Sequence, residues 1–357
     1  MGAVLKWMVV VGTMIAVAAA SAYAAKKYDG QTMQVMVSIS PRAAEQVREL
    51  IAPKLKDKYG LDMAVEATGA TAQLEKIVVQ KNNPRISIAG WDVAVGMRAA
   101  EMGLCAKIDA DKLAHFKDMY DWSIIRYNNE VKVLTTSILG VGLIYNENEF
   151  KKRGFAPPTS WNDLWRKELA GRISINTPES TWGQAWLVTW AKMEGGGIDN
   201  MDPAFKKVKS LVPSIHTIYK WSSELVKIMQ MGEVWMAITG SNISASLRSQ
   251  GYPSRWVAPK EGAPMVNGGM SIIANAPYQD AAHDFLNLYF SPEFQMVRIR
   301  ESGTLSALKS MWGKLSPQEV ESLPITEKEF NRLTQPDWIK IEKDRTAWTE
   351  RWLKEIK

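Results

Sequence analysis

Cysteine and histidine are nearly missing from this sequence of 357 residues, which contains one cysteine and three histidines. The single cysteine, Cys105, excludes an intrachain disulfide and a cysteine metal cluster, and we expect it to be a buried apolar residue. His115, His216 and His283 lack metal-ligand spacing, so we interpret each as a surface or hydrogen-bonded structural residue. The sequence therefore predicts neither a metal site nor a bound cofactor.

Catalytic motifs are missing as well. The chain contains no Gly-x-Ser-x-Gly elbow, no P-loop and no dinucleotide-binding glycine fingerprint. Its many serines and aspartates are not accompanied by a base at a recognisable spacing. We therefore predict no catalytic residues and no enzymatic activity, and an exported α/β enzyme is kept as the alternative from another class.

Blocks of like charge are also missing. The net charge of +6 is spread along the chain without a run of five like charges, which argues against nucleic acid as a partner and against a polybasic membrane patch. Charged residues make up 23% and apolar residues 46%, an ordinary globular composition. A chain of this length usually splits its core, so we expect two lobes.

The longest apolar run lies at the amino terminus. It covers Trp7 to Ala20 after Lys6, and Ala22-Tyr23-Ala24 offers a small-x-small cleavage site. The run is shorter than the roughly 20 residues that a membrane-spanning helix needs. We expect residues 1–24 to be a cleavable signal peptide that directs the protein to the periplasm, with no nearby cysteine for lipid attachment. An uncleaved anchor, as in a membrane-tethered sensory or scaffold protein, is the alternative.

Strands and helices alternate after this segment. Strand patterns at 33–37, 61–66 and 91–95 alternate with helical patterns that begin after Ser40-Pro41 and at Ala72. This order predicts an open α/β lobe with a largely parallel sheet, whose ligand lies at the carboxyl ends of the strands. The loops at 38–42, 68–71 and 96–98 are expected at that edge and contribute the candidate ligand residues Ser38, Ser40, Arg42, Thr68, Thr71 and Arg98.

A second set of polar loops follows later strands. Residues 176–182 precede a helix predicted over 183–193, and Ser180 or Thr181 is suited to cap it. The apolar strand 234–238 ends in a polar turn before a helical pattern from Ile243. Backbone N–H groups at such helix starts can face a ligand. These loops and the later chain contribute the candidates Ser180, Thr181, Trp182, Thr239, Ser241, Asn242, Asn267 and Thr304.

Two longer motifs carry a resemblance to a known family. The first is Pro-x-Ser-Trp-x-Asp-Leu-Trp at 158–165, followed by Gly-Arg-Ile at 171–173. The second is the order Gly-Glu-Val, apolar strand, polar turn, helix, Pro-Lys-Glu-Gly, Asn-Gly-Gly, strand and Ala-Asn-Ala between 232 and 276. This order resembles the extracellular solute-binding proteins of ABC importers, in particular the branch that includes spermidine/putrescine-binding proteins.

The resemblance implies a fold and a mode of action. It implies a two-lobed type II periplasmic binding protein with two crossover strands, which closes over a small-molecule ligand and docks on ABC permease membrane subunits. A monomer is the default for this architecture. The implied division is residues 25–138 and 268–300 for lobe 1, 139–267 for lobe 2, and 301–357 for a helical carboxyl-terminal tail that packs on the lobes.

The ligand class follows from where the chain departs from polyamine-binding members. The residues that match their carboxylates and aromatic rings are Pro178, Thr181, Ile238, Val266, Gly268 and Thr304. A dication would lose its charge-assisted hydrogen bonds at these positions. Hydroxyls, helix starts and arginines favour a small polar organic solute with a carboxylate, phosphonate or sulfonate group.

Three other ligand hypotheses remain open at this stage. A zwitterion is one, because Glu179 and Trp182 beside the second-lobe loop are suited to hold an amine. Polyamine and ferric iron are the others within the same transporter type. Iron commonly needs a tyrosine pair, and the sequence has only the isolated candidates Tyr219 and Tyr252.

Overall fold

The computed structural model describes residues 26–38, 40–302 and 304–356. The predicted signal peptide, residues 1–24, lies outside the described residues. The strands are β1 (Thr32–Val37), β2 (Asp62–Ala67), β3 (Ile86–Asp92), β4 (Ile124–Tyr127), β5 (Glu130–Asn146), β6 (Ile173–Asn176), β7 (Ile215–Tyr219), β8 (Met236–Gly240), β9 (Ser254–Val257), β10 (Ala263–Ile272) and β11 (Leu333–Thr334).

The helices cover the faces of these strands. They are α1 (Pro41–Leu50), α2 (Ala52–Tyr59), α3 (Ala70–Val79), α4 (Val93–Glu101), α5 (Glu147–Arg153), α6 (Thr181–Met193), α7 (Asp202–Leu211), α8 (Ser222–Gln230), α9 (Ser241–Ser249), α10 (Gln279–Tyr289), α11 (Pro292–Ser302), α12 (Pro317–Ser322), α13 (Glu327–Phe330) and α14 (Trp338–Glu355).

The strands follow the order β2-β1-β3-β10-β5-β8-β6-β7. β1, β2 and β3 are parallel, while β10 runs antiparallel to both β3 and β5. On the other side, β5 pairs antiparallel with β8 and β9, and β6 is parallel to β7 and β8. We call the part built on β1, β2 and β3 the first lobe and the part built on β6, β7 and β8 the second lobe. The predicted α/β class is confirmed.

Two long strands, β5 and β10, run from one lobe into the other. Ile138 of β5 faces Asn267 of β10, and three residues later Val141 faces Gly240 of the second lobe. β5 is continuous over 17 residues. Gly140 and Gly142 give room for a large ring, because a Cβ atom at either position would lie 2.5–2.6 Å from the indole of Trp256.

The end of β3 differs from the sequence-based expectation. A strand was expected over 91–95, but β3 ends at Asp92 and α4 begins at Val93. Gly96 lies on this helix and packs directly on the indole of Trp91, where a Cβ atom would be 2.6 Å from Nε1. The loop predicted at 96–98 is therefore wrong. Arg98 lies in the last turn of α4 and is exposed, away from the carboxyl edge of the sheet.

The structure confirms the predicted burial of Cys105 and shows how two of the sequence motifs pack. Cys105 is a buried free thiol, and burial raises its pKa to about 12. Ser40 caps α1 by accepting a hydrogen bond from the backbone N–H of Ala43, with Pro41 in the first turn. Trp161 is fully buried, whereas Trp165 is half-buried and packs against Trp190.

The carboxyl-terminal helix α14 packs on both lobes. Its first turns lie against α4, where Trp338 and Ile341 join a buried cluster with Val93 of the first lobe. Its last turns lie on the second lobe, where Trp352 contacts Trp186 with ring centres 6.1 Å apart. The sequence predicts a helical tail that packs on the lobes. It does not predict that this helix reaches from one lobe to the other.

Candidate functional site

One buried side chain fastens the edge of the first lobe. The Nε2 atom of Gln73, on α3, lies 2.8–2.9 Å from the carbonyl oxygens of Val37, Thr68 and Gly90, which belong to the ends of three neighbouring strands. Its Oε1 atom has no hydrogen-bond partner among the described residues. Because Gln73 fixes these strand ends, the loops that follow them form a rigid edge. Sequence reasoning missed Gln73, since a single glutamine on an amphipathic helix carries no signal.

Three helices that follow strand ends, two in the first lobe and one in the second, begin without a capping side chain. Gly69 before α3, Asp92 before α4 and Gly240 before α9 are N-cap residues that make no side-chain capping bond. By contrast, Ser40 and Ser180 cap α1 and α6. An uncapped helix leaves its first N–H groups available, and the helix dipole adds positive potential there. The starts of α3, α4 and α9 therefore offer backbone donors that no capping side chain occupies.

The loop before α6 is held by its own hydrogen bonds. The Ser180 hydroxyl accepts from the Gly183 N–H at 3.0 Å and from Nδ2 of Asn176 at 2.9 Å, and it donates to the Thr177 carbonyl at 3.1 Å. Ser180 therefore shapes the loop and has little capacity left for a ligand. The hydroxyl of the next residue, Thr181, makes no hydrogen bond within the described residues. Of the two, Thr181 is the better candidate for ligand contact.

The start of α9 is crowded and polar. A Cβ atom at Gly240 would lie 2.7 Å from Oδ1 of Asn242 and 2.8 Å from the Trp182 ring, so these two predicted residues meet there. The Oδ1 of Asn242 is buried without a partner in the described chain, and so is the Thr239 hydroxyl. Ser241 accepts a hydrogen bond from the Gly140 N–H at 3.3 Å, which ties α9 to the crossover strand β5.

Asn267 of β10 meets the carboxyl-terminal segment. It is 1% exposed, and its Nδ2 donates to Oε1 of Gln335 at 3.1 Å. Three residues later Trp338 is also 1% exposed, and its Nε1 has no partner among the described residues. The sequence predicted Asn267 but not Gln335 or Trp338, because no local pattern indicates that the tail returns to the crossover strands.

Arg42 is engaged in surface ion pairs. Its guanidinium lies 3.2 Å from Glu45, 3.3 Å from Glu49 and 2.8 Å from Glu301 of α11. These hydrogen bonds, first that of Glu301, raise the pKa of Arg42, and the same contact lowers the pKa of Glu301. The structure thus places Arg42 in a carboxylate network on the first lobe. Ser38 and Thr71 are exposed, and Thr68 and Thr304 are half-buried.

Glu179, the predicted amine partner, is already paired. Its Oε1 lies 3.0 Å from Nζ of Lys220, and its other oxygen contacts the Thr177 hydroxyl. Its charge is therefore neutralised within the second lobe.

Asp92 is a charged residue near the site, and the sequence candidates do not include it. It is the last residue of β3 and faces Gly268 across the β3–β10 ladder. Its carboxylate has no hydrogen-bond or ion-pair partner in the described part of the chain. Although water reaches it, burial against the surrounding protein raises its pKa, and the nearby Glu342 raises it further. An Asp directly after an apolar strand was the signal available in the sequence.

Metal chemistry has no support in the described residues, which contain no group of three or more His, Cys, Asp or Glu placed to hold a metal ion. Within the same residues, no helix combines the length and apolar character that crossing a membrane would require.

Comparison with known proteins gives the family. Residues 49–324 match the model of the bacterial extracellular solute-binding protein family. The chain is 23% identical to spermidine/putrescine-binding periplasmic protein 1 of Haemophilus influenzae over 254 residues, covering 67% of each chain.

Solved structures share the fold of this chain. An ABC transporter structure from Clostridium perfringens has a TM-score of 0.78 at 21% identity and covers 91% of this chain and 100% of its own. The periplasmic binding protein AfuA from Actinobacillus pleuropneumoniae, with fructose-6-phosphate bound, has a TM-score of 0.63 at 23% identity and covers 92% and 99%. These relatives are transport proteins and not enzymes, and they confirm the predicted periplasmic-binding-protein fold. The chain belongs to the bacterial extracellular solute-binding protein family and is the substrate-binding protein of an ABC transporter.

Proposed function

We propose that this protein captures a small polar organic solute with an anionic group between its lobes and delivers it to the permease. The solute class is a carboxylate, phosphonate, sulfonate or zwitterion. The proposal includes export to the periplasm through cleavage of residues 1–24, and a monomeric clamp. The similar proteins do not fix the class, because one is named for a polyamine and another holds a sugar phosphate.

The observation that carries the proposal is the uncapped start of α9. Gly240 supplies no capping side chain, so the first backbone N–H groups of α9 have no capping acceptor within the described residues. An anion at this point would accept hydrogen bonds from the free N–H groups and would be stabilised by the helix dipole. The unengaged hydroxyl of Thr181 and the ring of Trp182 lie at the start of the neighbouring helix, α6. Together they suit an oxyanion better than a bare cation.

Ferric iron fits the described residues poorly. The Tyr219 hydroxyl donates to the Ile238 carbonyl oxygen at 2.7 Å, and burial raises the pKa of this tyrosine. The Tyr252 hydroxyl accepts from Nδ2 of Asn146 at 2.9 Å. A phenol that is buried and already bonded does not ionise readily to bind a hard metal. Both isolated tyrosines are therefore structural in this proposal.

The test is a thermal-unfolding screen of residues 25–357 against carboxylates, phosphonates, sulfonates, sugar phosphates, amino acids, polyamines and ferric salts. A solute present at a hundred times its dissociation constant adds about 2.7 kcal/mol and raises the midpoint. We expect an anionic or zwitterionic solute to do so, and Thr181→Val to weaken its binding by about 1 kcal/mol through the lost hydrogen bond.

Thr189→Val is the matched control, because Thr189 lies on the same helix and its hydroxyl bonds the Ala185 carbonyl. A midpoint raised only by polyamines or ferric salts would contradict the proposed class. Equal losses in Thr181→Val and Thr189→Val would remove Thr181 from the site.

A further inference from the structure

Arg298, on α11, is a buried cation without a carboxylate partner. Its side chain is only 8% exposed. The ion pairs that α11 makes within the described residues are Arg42–Glu301 and Arg300–Glu319. Arginine is almost never buried in proteins unless it is paired. The folded chain therefore holds a positive charge that its described carboxylates do not neutralise.

The polar groups around Arg298 do not compensate this charge. The ring of Tyr289 is centred 5.2 Å from the guanidinium carbon, but burial raises the pKa of Tyr289, so it remains a neutral phenol. Glu301, one turn further along the helix, already accepts hydrogen bonds from Arg42 and Gln46 at 2.8 Å each. Burying a charge without a partner costs folding free energy. We therefore expect the missing anion to come from outside the chain.

One hydrogen bond fixes the guanidinium of Arg298 on the crossover strand β5. Its Nη1 donates to the carbonyl oxygen of Thr136. The register of β5 against β10 shifts at this point, between Gly268 and Gly269, and Thr136 has no partner on β10. Such bulges are over-represented next to functional sites. An arginine has five N–H donors, so Arg298 keeps donors for a ligand after this bond is made.

The start of α9 contacts the same strand. The Ser241 hydroxyl accepts a hydrogen bond from the N–H of Gly140, four residues after Thr136, at 3.3 Å. Four residues of a strand span about 13 Å. Arg298, whose helix packs in the core of the first lobe, and the start of α9 in the second lobe are thus held on one stretch of β5. A single solute can reach both.

The sequence candidate Thr304 lies beside this stretch of β5. Ile138, midway along it, pairs with Asn267 of β10 on one edge and with Leu305 on the other. Thr304 directly precedes Leu305, is half-buried, and its hydroxyl makes no hydrogen bond within the described residues. A polar group in the middle of the solute would therefore meet the Thr304 hydroxyl.

We propose that Arg298 binds a second anionic group of the solute, besides the one at the start of α9. The planar guanidinium fork matches a carboxylate or a phosphate, and one such group is too small to reach both ends of a stretch of about 13 Å. Combined with the proposed function, on which the wider conclusion rests, this makes the solute a dianion, such as a dicarboxylate or a phosphate ester with a carboxylate.

The two ends of such a dianion would join the lobes. With about 3 Å for each hydrogen bond, about 7 Å remains between its two anionic groups. A zwitterion fits less well, because its ammonium would face a guanidinium of the same sign.

The first experiment is isothermal titration calorimetry on residues 25–357 with matched probes that differ by one carboxylate. The pairs are glutarate and pentanoate, adipate and hexanoate, and 6-phosphogluconate and glucose 6-phosphate, with 4-aminobutanoate as the zwitterionic probe and putrescine as the cationic one. We expect a dianionic probe to bind and its partner with one carboxylate fewer to bind at least about tenfold more weakly, because charge-assisted hydrogen bonds are lost.

The decisive variant is Arg298→Met, which keeps a long side chain and removes its charge. It should weaken binding of the dianionic probe by about 10- to 100-fold and leave the affinity for its matched partner unchanged. Arg300→Met is the control, because Arg300 lies on the same helix, is exposed and pairs with Glu319 at 2.6 Å. If Arg298→Met does not fold, Arg298→Lys replaces it; this variant keeps the charge but loses the planar fork, and should bind about tenfold more weakly.

A second measurement uses inorganic sulfate and phosphate, so it does not depend on the identity of the solute. At constant ionic strength, balanced with sodium chloride, either anion should raise the unfolding midpoint of the unmodified protein and of Arg300→Met more than that of Arg298→Met. The difference reports the anion that Arg298 holds, because general salt effects act on all three proteins alike.

Three results would overturn the inference. They are equal sulfate and phosphate shifts in Arg298→Met and Arg300→Met, equal affinity of these two variants for a dianionic probe, and a probe with one carboxylate fewer that binds as tightly as its dianionic partner. The last result would leave the proposed function standing. Binding of putrescine alone would refute the proposed anionic class, whereas a sulfate shift that is reduced in Arg298→Met would still support the anion site at Arg298. If no organic probe binds, the sulfate and phosphate shifts decide.

Discussion

A methyl group added at Gly240 is a direct probe of the second-lobe side of the site. In Gly240→Ala the new Cβ atom would lie 2.7 Å from Oδ1 of Asn242 and 2.8 and 2.9 Å from two carbons of the Trp182 ring. The backbone itself tolerates alanine, because φ is −72° and ψ is 146°. The effect is therefore steric, and both displaced side chains belong to the proposed site.

Gly69 provides the matched control. It is also an uncapped N-cap residue, before α3, with φ −67° and ψ 148°, but a Cβ atom there would meet no atom within 4 Å. Both substitutions lose the same modest preference for glycine over alanine at an N-cap. The difference between Gly240→Ala and Gly69→Ala thus isolates the overlap with Asn242 and Trp182.

Overpacking of this kind typically costs about 1–3 kcal/mol, and the half-buried Trp182 can move aside, which favours the lower half of that range. Urea unfolding should show Gly240→Ala to be less stable than Gly69→Ala by about 1–2 kcal/mol. Calorimetric titration should show weaker solute binding in Gly240→Ala only. Equal stability and equal affinity in the two variants would refute the idea that Asn242 and Trp182 converge at Gly240.

Three further changes test other parts of the structure. Asp92→Asn should stabilise the solute-free protein as the pH rises above 3.8, the ordinary pKa of the group, because the raised pKa of Asp92 makes its ionisation unfavourable in the folded state. Thermal unfolding measured across pH tests this. An unfolding midpoint of the variant that does not exceed that of the unmodified protein at the higher pH values would contradict it. Trp338→Ala should lower the free energy of unfolding in urea by about 3 kcal/mol, which is the low end for a buried tryptophan because the Trp338 N–H is unsatisfied in the described structure. Trp221→Ala is the control: its side chain is 63% exposed, so the free energy of unfolding should change by less than about 0.5 kcal/mol. Arg42→Ala should lower the unfolding midpoint slightly at low salt and have the same midpoint as the unmodified protein at high salt, since Arg42 pairs with exposed carboxylates. Solute affinity should not change. A large loss of affinity would show that Arg42 belongs to the binding site.

Much of the fold follows from local patterns. The alternation of strands and helices and the cap at Ser40 are visible in the sequence because each depends on neighbours within a few residues. The end of β3 does not follow from the local pattern. Residues 91–95 have strand character, but the helix begins at Val93 and packs Gly96 on the Trp91 indole, and the sequence pattern does not show this change.

The candidate site was only partly accessible from sequence for the same reason. Candidates at loop positions, such as Thr181 and Asn242, follow from strand-to-helix turns. The pairing of Glu179 with Lys220 depends on a partner 41 residues away, and it changes which carboxylate is free. The contact of Asn267 with Gln335 spans 68 residues. Contacts of this range decide which polar groups are already satisfied, and a single sequence does not encode them in readable form.

The path of α14 has a mechanical consequence. A helix resists compression along its axis, and this one is fixed to the second lobe by Trp352 and by the ion pair of Arg351 with Asp202, 2.6 Å apart. Its other end meets α4 beside Val93, the residue after Asp92. The helix therefore acts as a strut that sets the spacing of the lobes along one side. We expect relative motion of the lobes to pivot about the Trp338 end of α14, so that the cleft opens mainly at the rim farthest from this helix.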